Sequence, residues 1–237
     1  MKIGIFQPCK IGDIIICLPI AKYYHDLGYE IIWPIQQQYM SHFRDVTDYV
    51  DFVPYINYND FIIKYNCNFI LDLCFNVFGN ETFTKFYNVQ RDYTFDELKY
   101  KIANVPFGEK WKLNIKRNIS KEQTLFDKLV KQEKYIVKQV NSSSHSIKNK
   151  PFHINKDFQI IEINSVTDCV FDWLTIIEKS QGVCLIESCF TNLIDQLNIA
   201  SPKKYCFLKH GYYGHILNNR PQHKQGMPIL KNNWEII

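Results

Sequence analysis

The 237-residue chain is 46% hydrophobic and 15% aromatic, enough to bury the core of one large or two small domains and far from the composition of a disordered protein. Its formal net charge is only +4 and its basic residues are scattered, which argues against a dedicated nucleic-acid surface but suits a mildly basic cleft for a phosphorylated small molecule. No apolar run approaches the roughly 20 residues that cross a bilayer, and the apolar part of the opening MKIGIFQPCK is short for a signal peptide, so a cytoplasmic protein without a transmembrane segment is expected.

A strand is predicted over Lys2 to Gln7. Apolar residues then recur at helical spacing from Ile14 to Leu27, until Gly28 stops the helix. EIIWPI (30–35) reads as the next buried strand, which completes a strand, helix, strand unit of a parallel sheet. DFVP (51–54) and FILDL (69–73) read as further strands, with the helix-permissive NDFIIKY between them. Residues 80–119 are aromatic, mixed in charge and weakly periodic. SKEQTLFDKLVKQEK (120–134) is predicted to be a helix opened by a Ser120/Gln123 capping box. A second series follows: KYIVKQV, FQIIEI, GVCLIES and KYCFL as strands, FDWLTIIEKS and TNLIDQLNI as helices. The expected fold is α/β with two Rossmann-like lobes, divided near residue 133 into 1–133 and 134–237.

The eight cysteines (Cys9, Cys17, Cys67, Cys74, Cys169, Cys184, Cys189, Cys206) contain no C-x-x-C pair and fall mostly in apolar runs, so they read as reduced core residues and no metal site is expected. The sequence holds no G-x-G-x-x-G after the first strand, no P-loop, no G-x-S-x-G and no H-E-x-x-H. It also lacks a D-x-D of the kind that holds a divalent ion in many sugar transferases.

Ligands of doubly wound sheets sit beyond the carboxyl ends of the strands. Asp13 follows the first strand through the turn KIG, and Glu187 and Ser188 end GVCLIES, so both segments fall in that position. Asp13 has two readings: a helix N-cap, worth about 1 kcal/mol, or a catalytic carboxylate. Glu187 and Ser188 likewise read either as part of a ligand site or as an ordinary strand end followed by a helix cap at Ser188 or Thr191. A proline inside the first helix, Pro19, should cost about 3 kcal/mol.

IGDIIICLPIAKYYHDLGY resembles the opening of the heptosyltransferase-like glycosyltransferases (family 9 and relatives), whose first βα turn reads roughly L-G-D-hydrophobic-P-A with a proline at the same offset. GVCLIESCFTNLIDQLNI is similar to that family's second signature, a strand ending in D-[ST]-G-x-x-H. Here Glu187 stands for the Asp, Cys189 for the glycine and Asn192 for the histidine. The resemblance implies a compact GT-B fold, with an N-terminal lobe for the acceptor and a C-terminal lobe for a nucleotide-sugar donor. It implies a metal-independent, inverting glycosyltransferase of glycan biosynthesis that has no cofactor beyond the nucleotide-sugar co-substrate and acts on a glycan or glycoconjugate hydroxyl.

Asp13 would then be the general base, with its charged form favoured by the helix N-terminus, and Lys10 and Gly12 would lie beside it in the cleft. Donor-binding candidates are Ser143, Ser144 and Lys148 in the Ser-rich loop, Glu187 and Ser188, and Lys209 and His210. Asn192, His215 and Arg220 complete the cleft candidates, the last two in the glycine-containing C-terminal segment whose basic groups suit a departing diphosphate. Two other readings stay open: a non-catalytic GT-B-like module that binds a glycan or a nucleotide, and a nucleotide-sugar epimerase.

Overall fold

The computed structural model describes residues 1–8, 10–74, 93–143, 145–147, 157–201, 203–208 and 230–237. The described residues through Ile115 form one compact unit and those from Lys116 another.

The first unit is built on a four-stranded parallel sheet in the order β3-β2-β1-β4, with β1 Lys2–Phe6, β2 Glu30–Ile35, β3 Asp51–Pro54 and β4 Phe69–Asp72. Helix α1 (Ile11–Asp26) links β1 to β2, the single turn α2 (Met40–Phe43) precedes β3, and α3 (Tyr58–Tyr65) links β3 to β4. Parallel neighbours need such crossovers, and the near-continuous apolar runs of β1 and β2 suit strands covered on both faces. On one face, Phe6, Ile32 and Val53 pack with Phe61 of α3. Gly4 of β1 permits that approach: a Cβ there would lie 2.6 Å from the Phe61 ring.

Helix α1 starts three residues earlier than its periodicity suggests. Its N-cap is Lys10, a non-glycine residue at φ 65° that makes no side-chain cap bond, and Asp13 sits inside the first turn. The N-cap reading of Asp13 is thereby corrected. Residues Ile14 to Ala21 are all buried, so this half of the helix is enclosed rather than amphipathic. The helix runs unbroken through Pro19, whose missing N–H leaves the Ile15 carbonyl without its helical donor, and the buried Tyr100 hydroxyl donates to the neighbouring Ile16 carbonyl at 2.9 Å. Gly28, at φ 88°, closes the helix as expected: its amide donates to His25 O (2.8 Å) and that of Tyr29 to Tyr24 O (3.2 Å), the pattern of a Schellman cap.

Within the weakly periodic stretch lie α4 (Phe95–Ile102) and a 3-10 turn at Phe107–Trp111. A capping box opens α4: the Thr94 hydroxyl accepts from the Glu97 amide and the Glu97 carboxylate from the Thr94 amide. Two lysines in this stretch, Lys99 and Lys110, are fully buried.

The second unit carries a five-stranded parallel sheet, β6-β5-β7-β8-β9, with β5 Tyr135–Gln139, β6 Gln159–Glu162, β7 Val183–Ile186, β8 Lys204–Phe207 and the short β9 Glu235–Ile236, which the sequence reading did not anticipate. Its helices are α5 (Ile119–Leu129), α6 (Leu174–Glu178), preceded by a 3-10 turn at Val170–Trp173, and α7 (Cys189–Gln196). The cap of α5 is Asn118, whose side chain accepts from the Lys121 amide at 3.0 Å, so the Ser120/Gln123 box is not used. A boundary near 133 would assign α5 to the first lobe. The structure instead ties it to the second unit: the fully buried Glu122 accepts from Arg117 Nε (2.9 Å), the Thr175 amide (3.0 Å) and the Thr175 hydroxyl (2.7 Å), and Arg117 also binds Glu178.

None of the described cysteines forms a disulfide, and Cys17, Cys184 and Cys206 are buried. Among the described residues no helix is long and apolar enough to cross a membrane.

Candidate functional site

Each sheet has a topological switch point, where consecutive connections leave in opposite directions and open a crevice at the carboxyl ends. In the first sheet it lies between β1 and β4, and in the second between β5 and β7. The described candidates gather at these two places.

At the first switch point the chain leaving β1 is fastened on both sides. The Gln7 carbonyl accepts from the Trp33 indole at 3.0 Å and its side-chain oxygen from Lys99 Nζ at 2.5 Å, while the same ammonium reaches the Leu73 carbonyl at 2.7 Å. One buried cation thus joins the exits of β1 and β4. The turn through the exposed Lys10 and half-buried Gly12 then delivers half-buried Asp13 onto the first turn of α1. Gln7, Trp33 and Lys99 escaped the sequence reading. A glutamine closing an otherwise apolar strand was the available signal.

Asp72 escaped it too. It ends β4 directly opposite Phe6 of β1, half-buried, with Oδ1 accepting from the Cys74 amide at 3.0 Å. Burial pushes its carboxyl up from 3.8 to about 6, against the opposing effects of the Cys74 amide and the Lys99 ammonium. The folded state therefore holds a proton that the unfolded chain gives up, so this group favours folding below pH 3.8 and that contribution is lost as pH rises through about 6. Asp72→Asn keeps the acceptor for Cys74 and removes the buried charge. Allowing for partial solvent screening, it should be more stable than the parent by about 1–2 kcal/mol at pH 8. That difference should vanish near pH 4 in urea denaturation followed across pH.

At the second switch point Ser188 caps α7. Its hydroxyl accepts from the Phe190 amide (3.2 Å) and donates to Gln139 Oε1 (2.6 Å), while Thr191 Oγ accepts from the Ser188 amide (3.2 Å) and donates to the Ser188 carbonyl (2.8 Å). The cap reading of Ser188 is the one the structure displays, and Gln139, at the end of β5, locks it in place. Glu187 is half-buried between β7 and this cap, its amide donating to Phe207 O at 2.7 Å. Asn192 lies one turn into α7 and donates to the Ser188 carbonyl at 3.4 Å. Ser143 is exposed within a tight turn after β5 that is held by Ser142, whose amide donates to the His145 carbonyl at 2.8 Å. Ser144, Lys148, Lys209, His210, His215 and Arg220 lie outside the described residues. Among the described residues no three His, Cys, Asp or Glu side chains converge as a metal site would require.

No family model matches the chain, and no curated protein matches its sequence. Its architecture matches solved structures. The ADP-heptose lipopolysaccharide heptosyltransferase II of E. coli aligns over 100% of this chain and 90% of its own, with TM-score 0.57 and 10% identity. A family 9 glycosyl transferase from Veillonella parvula aligns over 87% and 79%, with TM-score 0.56 and 8% identity. TibC, an iron-containing dodecameric glycosyltransferase of enterotoxigenic E. coli, gives TM-score 0.56 and 11% identity over 87% of this chain.

The fold is that of the heptosyltransferase-like GT-B glycosyltransferases.

The chain spans 57% of the length of TibC. The β1–α1 turn bearing Asp13 and the β7–α7 turn bearing Glu187 and Ser188 each lie at the switch point of their own sheet.

Proposed function

We propose that this protein is a glycosyltransferase that moves a sugar from a nucleotide-sugar donor to a hydroxyl of a glycan or glycoconjugate, with inversion and without a metal ion. The observation that carries the reading is Asp13: a half-buried carboxylate beside the switch point of the first sheet that is not spent as the helix cap. In the reaction, the acceptor O–H proton goes to the Asp13 carboxylate as the oxygen attacks the anomeric carbon. The bond from that carbon to the diphosphate oxygen breaks, and the nucleoside diphosphate leaves with the electron pair. The first unit, residues 1–115, takes the acceptor and the second the donor.

The amino end of α7 turns its positive dipole end toward the diphosphate while the capping box of Ser188 and Thr191 holds its first amides, with Glu187 facing donor hydroxyls. Because the Ser188 hydroxyl already serves Phe190 and Gln139, its part is to shape this turn. Ser143, Ser144, Lys148, Lys209 and His210 are the further donor candidates, and Lys10, Gly12, Asn192, His215 and Arg220 the remaining cleft candidates. The absence of D-x-D from the sequence supports charge stabilisation by protein groups, with no cofactor. The likeness to an ADP-heptose enzyme makes ADP-sugars the first donors to try. A cytoplasmic protein that meets no nucleic acid is the setting this reading carries.

Calorimetric titration with nucleoside diphosphates and their sugars, with and without EDTA, tests it. Binding of one nucleotide at about micromolar affinity, unchanged by EDTA, is expected. No binding across the panel would sink the donor assignment.

A further inference from the structure

Asp72 ends β4 in register with Phe6, so the two side chains leave the sheet on the same face, the one covered by α3. Two tyrosines stand around Phe6 there. The Tyr58 ring, at the start of α3, meets it edge-on with centroids 5.1 Å apart, and the Tyr55 ring, just after β3, lies 6.1 Å away. Tyr55 keeps 45% of its surface exposed, whereas Phe6 has none. Burial raises the Tyr58 phenol, and the nearby Asp72 charge adds to that rise. Of the Asp72 oxygens, Oδ1 accepts from the Cys74 amide and Oδ2 takes no hydrogen bond among the described residues. Among the described residues the charged and titratable neighbours of this carboxyl are Tyr58 on the α3 side and Lys99, which is fully buried and bonded to Gln7 and Leu73.

A half-buried carboxylate oxygen that takes no hydrogen bond among the described residues, on the same sheet face as an exposed tyrosine ring at a switch point, has a definite chemical complement. It suits a ligand with hydroxyl donors on one edge and an apolar C–H face on the other. An anionic group is disfavoured, since its charge would meet Asp72.

We propose that Asp72, Tyr55 and Tyr58 form the subsite for a neutral sugar ring of the acceptor. Asp72 accepts from the ring hydroxyls and Tyr55 packs against its C–H face. The role of this ring as acceptor rests on the glycosyltransferase reading; the binding of a sugar here does not, so it is tested with no donor present.

The probes are the methyl glycosides of mannose, glucose and galactose and, for comparison, the corresponding hexose 6-phosphates, observed by saturation-transfer NMR on the full chain. At least one neutral glycoside should bind with a Kd of about millimolar. Tyr55→Ala and Asp72→Asn should each weaken it about fivefold or more. Binding should also weaken as pH falls through about 6. Tyr55 is an exposed loop position, so its variant reports on the subsite even where another variant folds poorly.

The proposal is overturned if no neutral glycoside binds, if the 6-phosphates bind more tightly than the neutral rings, or if Tyr55→Ala binds like the parent. Glycoside binding through Asp72 without any nucleotide binding would refute the transferase reading and leave this subsite standing. Nucleotide binding without glycoside binding would do the reverse.

Discussion

Asp13→Asn should lower sugar transfer by about 10³-fold, within the range that a positioned general base supplies, while leaving nucleotide affinity within about twofold. The donor is assigned to the other unit, and Asn preserves the shape of the carboxylate without its capacity to take a proton. Stability should change by about 1 kcal/mol or less, because Lys10 rather than Asp13 caps α1 and the isosteric Asn keeps the side chain's shape while removing a favourable charge near the helix N-terminus. Single-turnover transfer, with calorimetry on the same preparation, separates the two effects. A variant that retains transfer within tenfold of the parent would remove Asp13 as the base. One that loses nucleotide binding as well would place Asp13 in the donor site instead.

Asp96→Ala should be the most destabilising single change in the first unit. Asp96 on α4 and Lys110 on the following 3-10 turn form an ion pair in which both side chains are at most 5% exposed. The Lys110 ammonium also lies 4.7 Å from the Trp111 ring centroid. Removing the carboxylate leaves a cation inside the protein, at a cost of about 3–5 kcal/mol, a large part of the roughly 5–15 kcal/mol that holds a typical domain. The double variant Asp96→Leu with Lys110→Met removes both charges and should recover most of the loss. Urea denaturation of the parent, the single variant and the double variant reads both outcomes. A loss below about 1 kcal/mol for Asp96→Ala would show that the pair contributes little to stability.

The order of strands and helices was legible wherever local periodicity was strong. β1, α1, β2 and the β5-to-β8 series follow from apolar runs and their punctuation, and Gly28 ends α1 through a cap that depends only on adjacent residues. Cap choice was less legible. Asn118 and Ser120 both suit an N-cap, and the backbone conformation at Asn118 decides between them. The box T-x-x-E at Thr94 and Glu97 was readable but hidden in a stretch of mixed charge and weak periodicity.

The site was half legible. Asp13, Glu187 and Ser188 were readable as candidates because each follows a recognisable strand and lies in a segment that resembles a family signature. Asp72 was not, because its distinction comes from lying beside β1, 66 residues away from Phe6 in sequence, and from the partial burial that this placement imposes. The same holds for Lys99, whose ammonium is 92 residues from the Gln7 it binds.

The sequence by itself determined the alternation of β and α, the presence of two parallel sheets and the placing of Asp13, Glu187 and Ser188 in turns after strands, because these follow from side-chain periodicity and turn chemistry within short windows. The tertiary structure alone decided that β1 adjoins β4 and β5 adjoins β7, that α5 belongs with the second unit, and that Asp72 stands next to Phe6 and Tyr58. Those are outcomes of strand pairing and burial between distant segments, set by how much apolar surface each arrangement removes from water and by which buried polar groups find partners.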